Sequence, residues 1–345
     1  MSGKRQHFVP RFLQRGFASH MNKDEVFTWV YRKDAKPFNT NIVNVGVEGL
    51  FYSQDGDNQL DDEITEAEDR YGALIDALRN DAEGTTPDAD ALAELLAHLE
   101  VRTRHLRQNF SSTAGSVVEE LLRFIEDREV FGDYIKRRIK NDPSFVRDAM
   151  LEEFRKQNIP ESLLPLVLRN GQPLLEKMLP SLLSNLPSMT EQFRALLPDL
   201  VGSASKAGHI KALKQALAPQ IKAEWYRSLN YQVLRSKTKQ LPLGDSMLVF
   251  QLAGERPYKP FCEKDDPVRT IYLPLSPSQV LVGSVEVTTP DLTLLPMAIA
   301  RCSLEYFISN ANNSENYHLQ TLIGKSAHLL SKDQIETLLT EIKND

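Results

Sequence analysis

The sequence predicts an α+β protein that is predominantly helical and contains a small mixed or antiparallel sheet. Apolar residues recur every three or four positions through much of the chain, as between Leu60 and Leu78, and this spacing is typical of amphipathic helices. Runs rich in β-branched and aromatic residues, which favour strands, lie near the beginning (VFTWVYR, 26–32) and late in the chain (QVLVGSVEV, 279–287). We therefore expect a sheet that combines N-terminal and C-terminal segments.

The first sixty residues predict short elements. Pro10 suits the first turn of a helix, which we expect to continue to about Phe17, where Gly16 weakens it. A strand, two extended segments and a turn are predicted next, at 26–32, 39–45, 50–53 and 54–59.

The remaining elements follow from the same patterns. Asp88 or Asp90 is the predicted cap of a long helix, and Ser331 is the predicted cap of the last one. The predicted helices cover about 60–78, 88–106, 115–126, 210–235, 298–310 and 317–330, with a final helix after 331. The predicted strands cover 246–253, 271–276 and 279–287.

Residues 130–204 differ in character from the flanking chain. Leucine and proline interleave across 159–200, which predicts short amphipathic helices separated at the prolines. We therefore expect a main α+β domain formed by residues 1–129 and 205–345, with 130–204 as a helical insertion or subdomain. The insertion could pack internally, or it could present an apolar face at 159–200 to a protein partner or to a second copy of the chain.

Composition and charge bound the class of protein. The chain has 345 residues, of which 41% are hydrophobic and 26% charged, as in ordinary globular proteins. The formal net charge of -6 argues against an indiscriminate coat on nucleic acid, although it allows a local basic cleft. Cys262 and Cys302 do not make a disulfide framework. Because the chain shows no long apolar run and no secretory signal, we expect a cytoplasmic protein that makes no contact with a membrane.

The sequence QHFVPRFL at 6–13, continuing to Phe17, resembles the N-terminal signature of a bacterial family of unknown function, with a QH-x-VP-x-F-x-L-x-x-F-like pattern. Later parts of the chain resemble further blocks of that family. These are the acidic helix with Asp61 and Glu68, the pair Arg102 and Thr103, Asp245 where the family often has Ser-Asp-Asn-Pro and this chain has GDSM, and LPLSPSQVLV at 273–282. The resemblance implies positions to test and no established activity.

The first block offers groups suited to an anion. His7 lies just before the predicted helix, and the start of a helix carries unpaired backbone N–H groups and a positive dipole end. Arg11 and Arg15 are one turn apart and could add guanidinium groups that suit phosphate, while Gln6 could orient the imidazole or a ligand. The alternative is that His7 caps local backbone and that the two arginines lie in water.

The acidic helix allows three interpretations. Asp61 and Glu68 are seven residues apart, so they share one helix face and could hold Mg²⁺ or share acid–base work. They could instead form a solvated face paired with Arg70 or Arg79. In the third interpretation the acids point inward, and Arg102 on the next long helix is the natural partner in a buried structural pair.

Together these positions predict a polar constellation in the core. A histidine that moves a proton, acids that hold Mg²⁺ and arginines that bind phosphate are the usual parts of metal-assisted phosphodiester hydrolysis. We therefore predict a metal-dependent nuclease-like effector that acts on RNA or DNA in a bacterial toxin or anti-phage system. The alternative is a non-enzymatic binding or regulatory module whose leucine-rich insertion recruits a protein partner. The assigned residues are His7, Asp61, Glu68, Arg102 and Asp245 for catalysis, Gln6, Arg11 and Arg15 for phosphate, and Asp61 and Glu68 for Mg²⁺.

Overall fold

The computed structural model is an α+β fold that is mostly helical, which confirms the predicted fold class. The chain divides into two compact units. Unit 1 contains Met1–Ser111 and Ala204–Ser331, and unit 2 contains Ser112–Ser203 and Lys332–Asp345. The structure describes residues 5–53, 57–80, 88–237, 240–328, 337 and 340, without the side chains at 143, 145, 146, 149, 153 and 169–182.

Apolar periodicity accounts for the main helices of unit 1. The second helix buries Leu60, Ile64 and Ile75 on one face, as the predicted spacing requires, and the side chain of Asp88 caps the third. The helices of the described chain are α1 (Arg11–Arg15), α2 (Gln59–Asn80), α3 (Ala89–Val101), α4 (Arg104–Glu126), α5 (Arg128–Asn141), α6 (Pro143–Lys156), α7 (Leu164–Gln215), α8 (Gln220–Arg227), α9 (Leu295–Cys302) and α10 (Ser314–Gln320).

All strand pairs in the described chain are antiparallel, and all of these strands belong to unit 1. The strands are β1 (Arg5–His7), β2 (His20–Asn22), β3 (Glu25–Arg32), β4 (Phe38–Asn41), β5 (Val47–Gly49), β6 (Asn230–Arg235), β7 (Leu243–Gly244), β8 (Val249–Leu252), β9 (Tyr258–Lys259), β10 (Val268–Ser276), β11 (Gln279–Ser284) and β12 (Tyr306–Ser309).

The strands form three sheets. The first joins both ends of the chain as predicted, in the order β2-β3-β12-β7 with β4 on β3, and it pairs Tyr306 with Arg32 and Ser309 with Trp29. The second has the order β6-β11-β10-β8-β9 and comes entirely from the later part of the chain. The third is the pair β1-β5, in which His7 lies opposite Val47. The single small sheet predicted from the sequence is therefore three sheets.

The predicted N-terminal elements are largely confirmed. The helix predicted from Pro10 is α1, the strand at 26–32 is β3, and the segment at 39–45 begins as β4 before a short 3-10 helix (Ile42–Asn44). The extended segment predicted at 50–53 is wrong, because Leu50 has a positive φ of 52° that turns the chain there.

The long helix predicted through Leu106 is interrupted. It ends at Val101, and α4 begins at Arg104 and runs without a break through the boundary predicted at Gly115. Thr103 stabilises the new helix start because its hydroxyl accepts a hydrogen bond from the backbone N–H of Leu106 at 3.1 Å.

The predicted series of short helices across 159–200 is wrong, because α7 is one helix of 52 residues. Prolines at 173, 180 and 187 are seven residues apart, so the missing N–H donors fall on one side of the helix and the other backbone bonds persist. The helix predicted over 210–235 is also wrong. It is divided at Pro219 into the end of α7 and α8, and residues 230–235 form β6.

The C-terminal tail differs from the prediction as well. The helix predicted at 298–310 ends at Cys302, and Tyr306–Ser309 is the strand β12. The helix predicted at 317–330 stops with α10, since Gly324 adopts a positive φ of 85° that ends the helical turns. The predicted cap at Ser331 lies outside the described residues.

A close approach of α1 to β10 fixes the N-terminal block on the second sheet. A Cβ atom at Gly16 would overlap the carbonyl oxygen of Leu275 and the guanidinium of Arg79, so only glycine fits here. Arg79 donates to the Leu275 carbonyl at 2.9 Å and to the Leu13 carbonyl at 3.0 Å. One α2 side chain therefore joins α1 to β10.

Unit 2 begins within a helix. It starts at Ser112, inside α4, whereas the insertion predicted from the sequence starts at residue 130. A boundary inside a continuous amphipathic helix leaves no change of composition to detect.

Within the described chain, no helix combines the length and the apolar character that crossing a membrane requires.

Candidate functional site

The guanidinium of Arg102 is the centre of the predicted constellation, and it is completely buried in unit 1. Its Nη2 donates to the His7 carbonyl and to Glu68 Oε1, both at 2.6 Å. Its Nε donates to the Tyr52 hydroxyl at 3.2 Å, and its Nη1 lies 2.9 Å from His98 Nε2. Four of its five N–H donors are thus used inside the protein.

The helices of unit 1 hold this guanidinium in place. Arg102 caps the end of α3, and the Tyr52 hydroxyl lies 3.3 Å from its main-chain carbonyl, so the side chain and the backbone of Arg102 meet the same phenol. Glu68 comes from α2 and is about one quarter exposed, whereas the Arg102 side chain is fully buried. Of the three interpretations of the acidic helix, the pair with Arg102 is the one that the structure shows for Glu68.

His98 must be neutral to serve as a partner of Arg102. Its Nδ1 lies 3.1 Å from the Leu217 carbonyl and therefore carries the proton, which leaves Nε2 to accept from Arg102. Burial and then the positive charge of Arg102 lower the pKa of His98 to about 3. A protonated His98 could not accept the hydrogen bond from Arg102, because its Nε2 would carry an N–H group, and its positive charge would repel the buried guanidinium.

A second arginine near the start of α4, Arg107, also lies between an aromatic ring and a histidine. Arg107 lies with its guanidinium carbon 3.6 Å from the centre of the Phe51 ring, and it donates to the Phe51 carbonyl at 2.7 Å. Its Nη2 also lies 3.2 Å from Nδ1 of His209, whose Nε2 bonds the Val101 carbonyl. Burial and Arg107 lower the pKa of His209 to about 4. Phe51 and Tyr52 are therefore held by two arginines that flank the α3–α4 break.

Gln6 ties the first strand to the same network. Its Oε1 accepts from the Tyr52 N–H and its Nε2 donates to the Ser53 hydroxyl, both at 2.6 Å, and it also bonds the Asp61 carboxyl. Burial raises the pKa of Asp61, and the bond from Gln6 opposes that shift. The amide group predicted to orient an imidazole or a phosphate is therefore used within the fold.

The imidazole of His7 lies at the edge of the network and is partly exposed. The backbone of Ile42 favours its protonated form, while Nε2 is buried and has no hydrogen-bond partner among the described residues. Burial and the charges of Arg11 and Arg102 lower the pKa of His7 to about 4, although Glu68 opposes this. At neutral pH the imidazole is an uncharged acceptor.

The two arginines predicted to bind phosphate are exposed. Neither Arg11 nor Arg15 forms an ion pair within the described part of the chain. Arg11 is close enough to His7 to lower the pKa of its imidazole, whereas the charge of Arg15 acts on Arg79. The structure thus places Arg11 beside His7 and gives Arg15 a different neighbour.

Asp245 belongs to a separate network. Its carboxylate accepts the backbone N–H groups of Leu304 and Glu305 at 2.8 Å and of Tyr306 at 3.2 Å, which holds the chain at the start of β12. Burial raises the pKa of Asp245 to about 6, while these three hydrogen bonds oppose the shift. In the described residues its hydrogen bonds go to this turn and not to the Arg102 group.

Each of the two acids predicted to hold Mg²⁺ already interacts with a polar neighbour. Glu68 is paired with Arg102, and Gln6 lowers the pKa of Asp61 through a hydrogen bond. The described residues contain no group of three histidine, cysteine or acidic side chains that could hold a metal ion. Because Mg²⁺ is usually held by one or two carboxylates together with water and substrate phosphates, the magnesium site at Asp61 and Glu68 stays a prediction.

Sequence reasoning missed two members of the network, Tyr52 and His98. The signal for His98 was available, because it lies four residues before Arg102 on the same helix and hence on the same face. Nothing in the local pattern around Tyr52 indicates that its hydroxyl faces the end of a helix fifty residues later.

Residues 5–293 match a family model described as a protein of unknown function, DUF4238. The chain belongs to this family. The DUF4238 match includes the first block, the acidic helix, the Arg102 block and the Asp245 turn, and it ends before β12 begins. Comparisons with curated proteins and with solved structures gave no match. The family relationship therefore supplies no activity.

Replacing Arg102 with glutamine should destabilise the protein. The His7 carbonyl, the Tyr52 hydroxyl and His98 Nε2 would lose their donor in a buried site, so we expect the free energy of unfolding to fall by about 3–5 kcal/mol. The measurement is urea denaturation of the full chain. Arg104→Gln is the matched control, because Arg104 is about one-third exposed and its loss should change the free energy by less than about 1 kcal/mol. Equal effects of the two substitutions would contradict a structural role for Arg102.

The stability of the protein should fall as the pH decreases from about 6.5 toward 4. In that range an unfolded His98 binds a proton and the folded one does not, so His98 alone should contribute a loss of about 3 kcal/mol. Asp245 acts in the opposite direction below about pH 6, because burial favours its protonated form in the folded state. The measurement is the free energy of unfolding in urea at a series of pH values.

Two variants isolate the contribution of His98. In His98→Gln the amide can still accept from Arg102 and donate to the Leu217 carbonyl without titrating, so the decrease with falling pH should become smaller. His318→Gln is the control, since His318 is exposed, and it should keep the wild-type pH dependence. An unchanged pH dependence in His98→Gln would show that His98 is not the neutral partner of Arg102.

Proposed function

We propose that this protein is a binding module and that unit 2 carries its interaction surface, an exposed apolar face of α7. The observation that supports this is a set of large apolar side chains in water on one helix. The set, which we call the α7 stripe, consists of Met189, Phe193, Leu196 and Leu200, with 64%, 43%, 59% and 51% of their surface exposed. Single exposed apolar residues are ordinary, whereas an aligned series is typical of an interface.

A different face of α7 packs within unit 2. The Thr190 hydroxyl donates to Glu126 on α4, and Arg194 pairs with Glu119 at 2.9 Å and with Glu126 at 3.0 Å. Leu197 is buried on the same face. This face therefore attaches the helix to α4. The α7 stripe lies about a quarter turn around the helix from that face, where it remains exposed and could contact another molecule.

The spacing of the α7 stripe indicates what kind of partner fits it. Its members are separated by four, three and four residues, which is the alternation that forms the seam of a coiled coil. A seam of this type takes the side chains of a facing helix into the holes between its own. The proposed partner therefore presents an amphipathic helix.

The Arg102 network of unit 1 has a structural explanation. Most of its polar atoms are used within the fold, as the bonds of Gln6 and of the Arg102 guanidinium show. A buried hydrogen-bonded network stabilises and orients a fold, so these residues do not by themselves call for a catalytic role.

A charge in the α7 stripe should weaken binding. We expect Phe193→Glu and Leu196→Glu each to weaken the association with an identified partner, reconstituted from purified components, by at least about tenfold. Leu166→Glu is the matched control, because Leu166 is 63% exposed on the same helix but lies outside the stripe. If the stripe variants bind as the wild type does, α7 is not the interaction surface.

A second candidate function is phosphodiester cleavage at His7. The observation that favours it is the unpartnered Nε2 of an uncharged imidazole next to the exposed Arg11. Because Nε2 is buried in this structure, the candidate requires the ring to turn or its cover to open before a substrate reaches it. RNA suits such a site better than DNA, because its 2′-hydroxyl is an internal nucleophile. Nε2 would take the proton of that hydroxyl as its oxygen attacks phosphorus; the 5′-oxygen leaves and takes a proton from water, which gives a 2′,3′-cyclic phosphate. Arg11 would hold the phosphate.

The second candidate is tested with the purified full chain on matched RNA and DNA oligonucleotides. Cleavage of RNA that persists with a chelator and that is lost in His7→Ala would support it, provided that the thermal midpoint of the variant stays within about 3 °C of the wild type. Cleavage that requires added Mg²⁺ would instead support the metal-dependent nuclease predicted from the sequence. A chain that cleaves neither substrate under both conditions is not a nuclease of either kind.

A further inference from the structure

We infer that unit 1 contains a binding site for a small zwitterion, an α-amino acid, in a cavity at one end of the second sheet. The cavity has a volume of about 690 Å³, which lies within the range of small-molecule sites. Its residues belong neither to the α7 stripe nor to the Arg102 network. The inference therefore goes beyond the proposed function and does not depend on it.

The cavity lies on the face of the second sheet that packs against α9. On that face Val249 and Tyr272 share a buried apolar cluster with residues of α9. Gln251 and Thr270 are two residues away on the same strands, so their side chains share this face, and both residues line the cavity. Residues of the segment 285–294, which leads from β11 to α9, line it as well. The sheet thus supplies a floor and the segment a wall.

The floor offers hydrogen-bond donors that the fold does not use. Strand pairing places Gln251 beside Thr270 on β10 and beside Tyr258 on β9. Gln251 Oε1 accepts from the Tyr272 hydroxyl at 2.7 Å, which leaves the Nε2 amide group as a donor. In the described part of the chain neither this amide group nor the Tyr258 hydroxyl donates a hydrogen bond to another residue. A molecule in the cavity would meet both.

Charged side chains of both signs line the same cavity. They are Arg269, Glu286 and Asp291, and all three are exposed. Among the residues that the structure describes, none of them forms an ion pair, either with one another or with a different side chain. Opposite charges that share a cavity without meeting are both paired by a ligand that carries both signs. An α-amino acid has its ammonium and carboxylate groups on one carbon atom and is the smallest common ligand of this kind.

A β-bulge explains why Arg269 lines the cavity together with its neighbour Thr270. Successive residues of a regular strand point to opposite faces. The register of β10 with β8 shifts between Val268 and Thr270, so Arg269 is the extra residue of a bulge. Bulges re-aim side chains and are common next to functional sites. A guanidinium suits a carboxylate, and we therefore assign Arg269 to the carboxylate of the ligand.

The two acids suit the ammonium group. Asp291 Oδ1 accepts from the Thr293 N–H at 2.9 Å and from its hydroxyl at 2.6 Å, and these bonds lower the pKa of Asp291 while Oδ2 is left for a ligand. Burial raises the pKa of Tyr258 and the charge of Asp291 adds to this, so the carboxylate lies near the floor. Two carboxylates against one guanidinium leave the lining negative. A basic amino acid therefore complements it best.

Ligand-observed NMR titration of the purified full chain with L-lysine tests the inference. We expect L-lysine to bind, and L-glutamate to bind at least about tenfold more weakly because its extra charge has the sign of the lining. Nα-acetyl-L-lysine lacks the α-ammonium charge and L-lysinamide lacks the carboxylate, so each should also bind at least about tenfold more weakly. The inference is overturned if no standard amino acid binds at about 10 mM, or if either analogue binds as L-lysine does.

Two substitutions assign the charges of the ligand to side chains. Arg269→Gln should weaken the binding of L-lysine by at least about tenfold and should remove the difference between L-lysine and L-lysinamide, because the partner of the carboxylate is lost. Glu286→Gln should also weaken the binding of L-lysine and should reduce the difference between L-lysine and Nα-acetyl-L-lysine. Both side chains are exposed, so we expect the thermal midpoint to change little.

Glu255→Gln is the matched control. Glu255 is exposed between β8 and β9 and does not line the cavity, so this variant should bind L-lysine as the wild type does. Binding that is equally strong in the wild type, Arg269→Gln and Glu286→Gln would place the ligand elsewhere on the chain and contradict the inference. None of these outcomes bears on the α7 stripe, so the proposed function is tested separately.

Discussion

A single buried guanidinium organises unit 1. Arg102 joins the end of α3 to α2 through Glu68, to the first strand through the His7 carbonyl, and to its own helix through His98. A buried charge is tolerated only when it is paired and hydrogen-bonded, and His98 is the partner of Arg102 whose own charge state matters most. Because His98 must accept from Arg102, it has to stay uncharged under conditions in which an exposed imidazole begins to protonate.

This constraint explains much of the N-terminal block. Gln6 fixes the residues next to Tyr52, whose hydroxyl in turn meets Arg102, and Gly16 allows α1 to reach β10. These contacts hold the elements of unit 1 together, and they give a structural role to residues for which the sequence also suggested a functional one. His7 is the exception, since its carbonyl belongs to the network while its imidazole nitrogen Nε2 has no described partner. The proposal of phosphodiester cleavage therefore depends on the imidazole of His7, and the proposal of a binding module depends on the α7 stripe.

The sequence predicted what depends on periodicity and failed where distant contacts decide. The buried face of α2 and the strand β3 follow from spacing. The pairing of an inward acid with Arg102 was one of three interpretations that the sequence left open, and the structure shows it for Glu68. The strand β12 was missed because its backbone is held by Asp245, about sixty residues earlier in the chain. The continuity of α7 was missed because prolines were given more weight than the heptad spacing of leucines that surrounds them.

The central claim is that His98 is a neutral acceptor locked against Arg102, and its imidazole nitrogens report this directly. Nitrogen-15 NMR of the full chain, with His98 assigned through the His98→Gln variant, gives the tautomer and the charge at each pH. We predict a neutral ring protonated at Nδ1 that does not change between about pH 7.5 and pH 5. A ring that titrates near the ordinary value of about 6.5, or one that carries its proton on Nε2, would contradict the account.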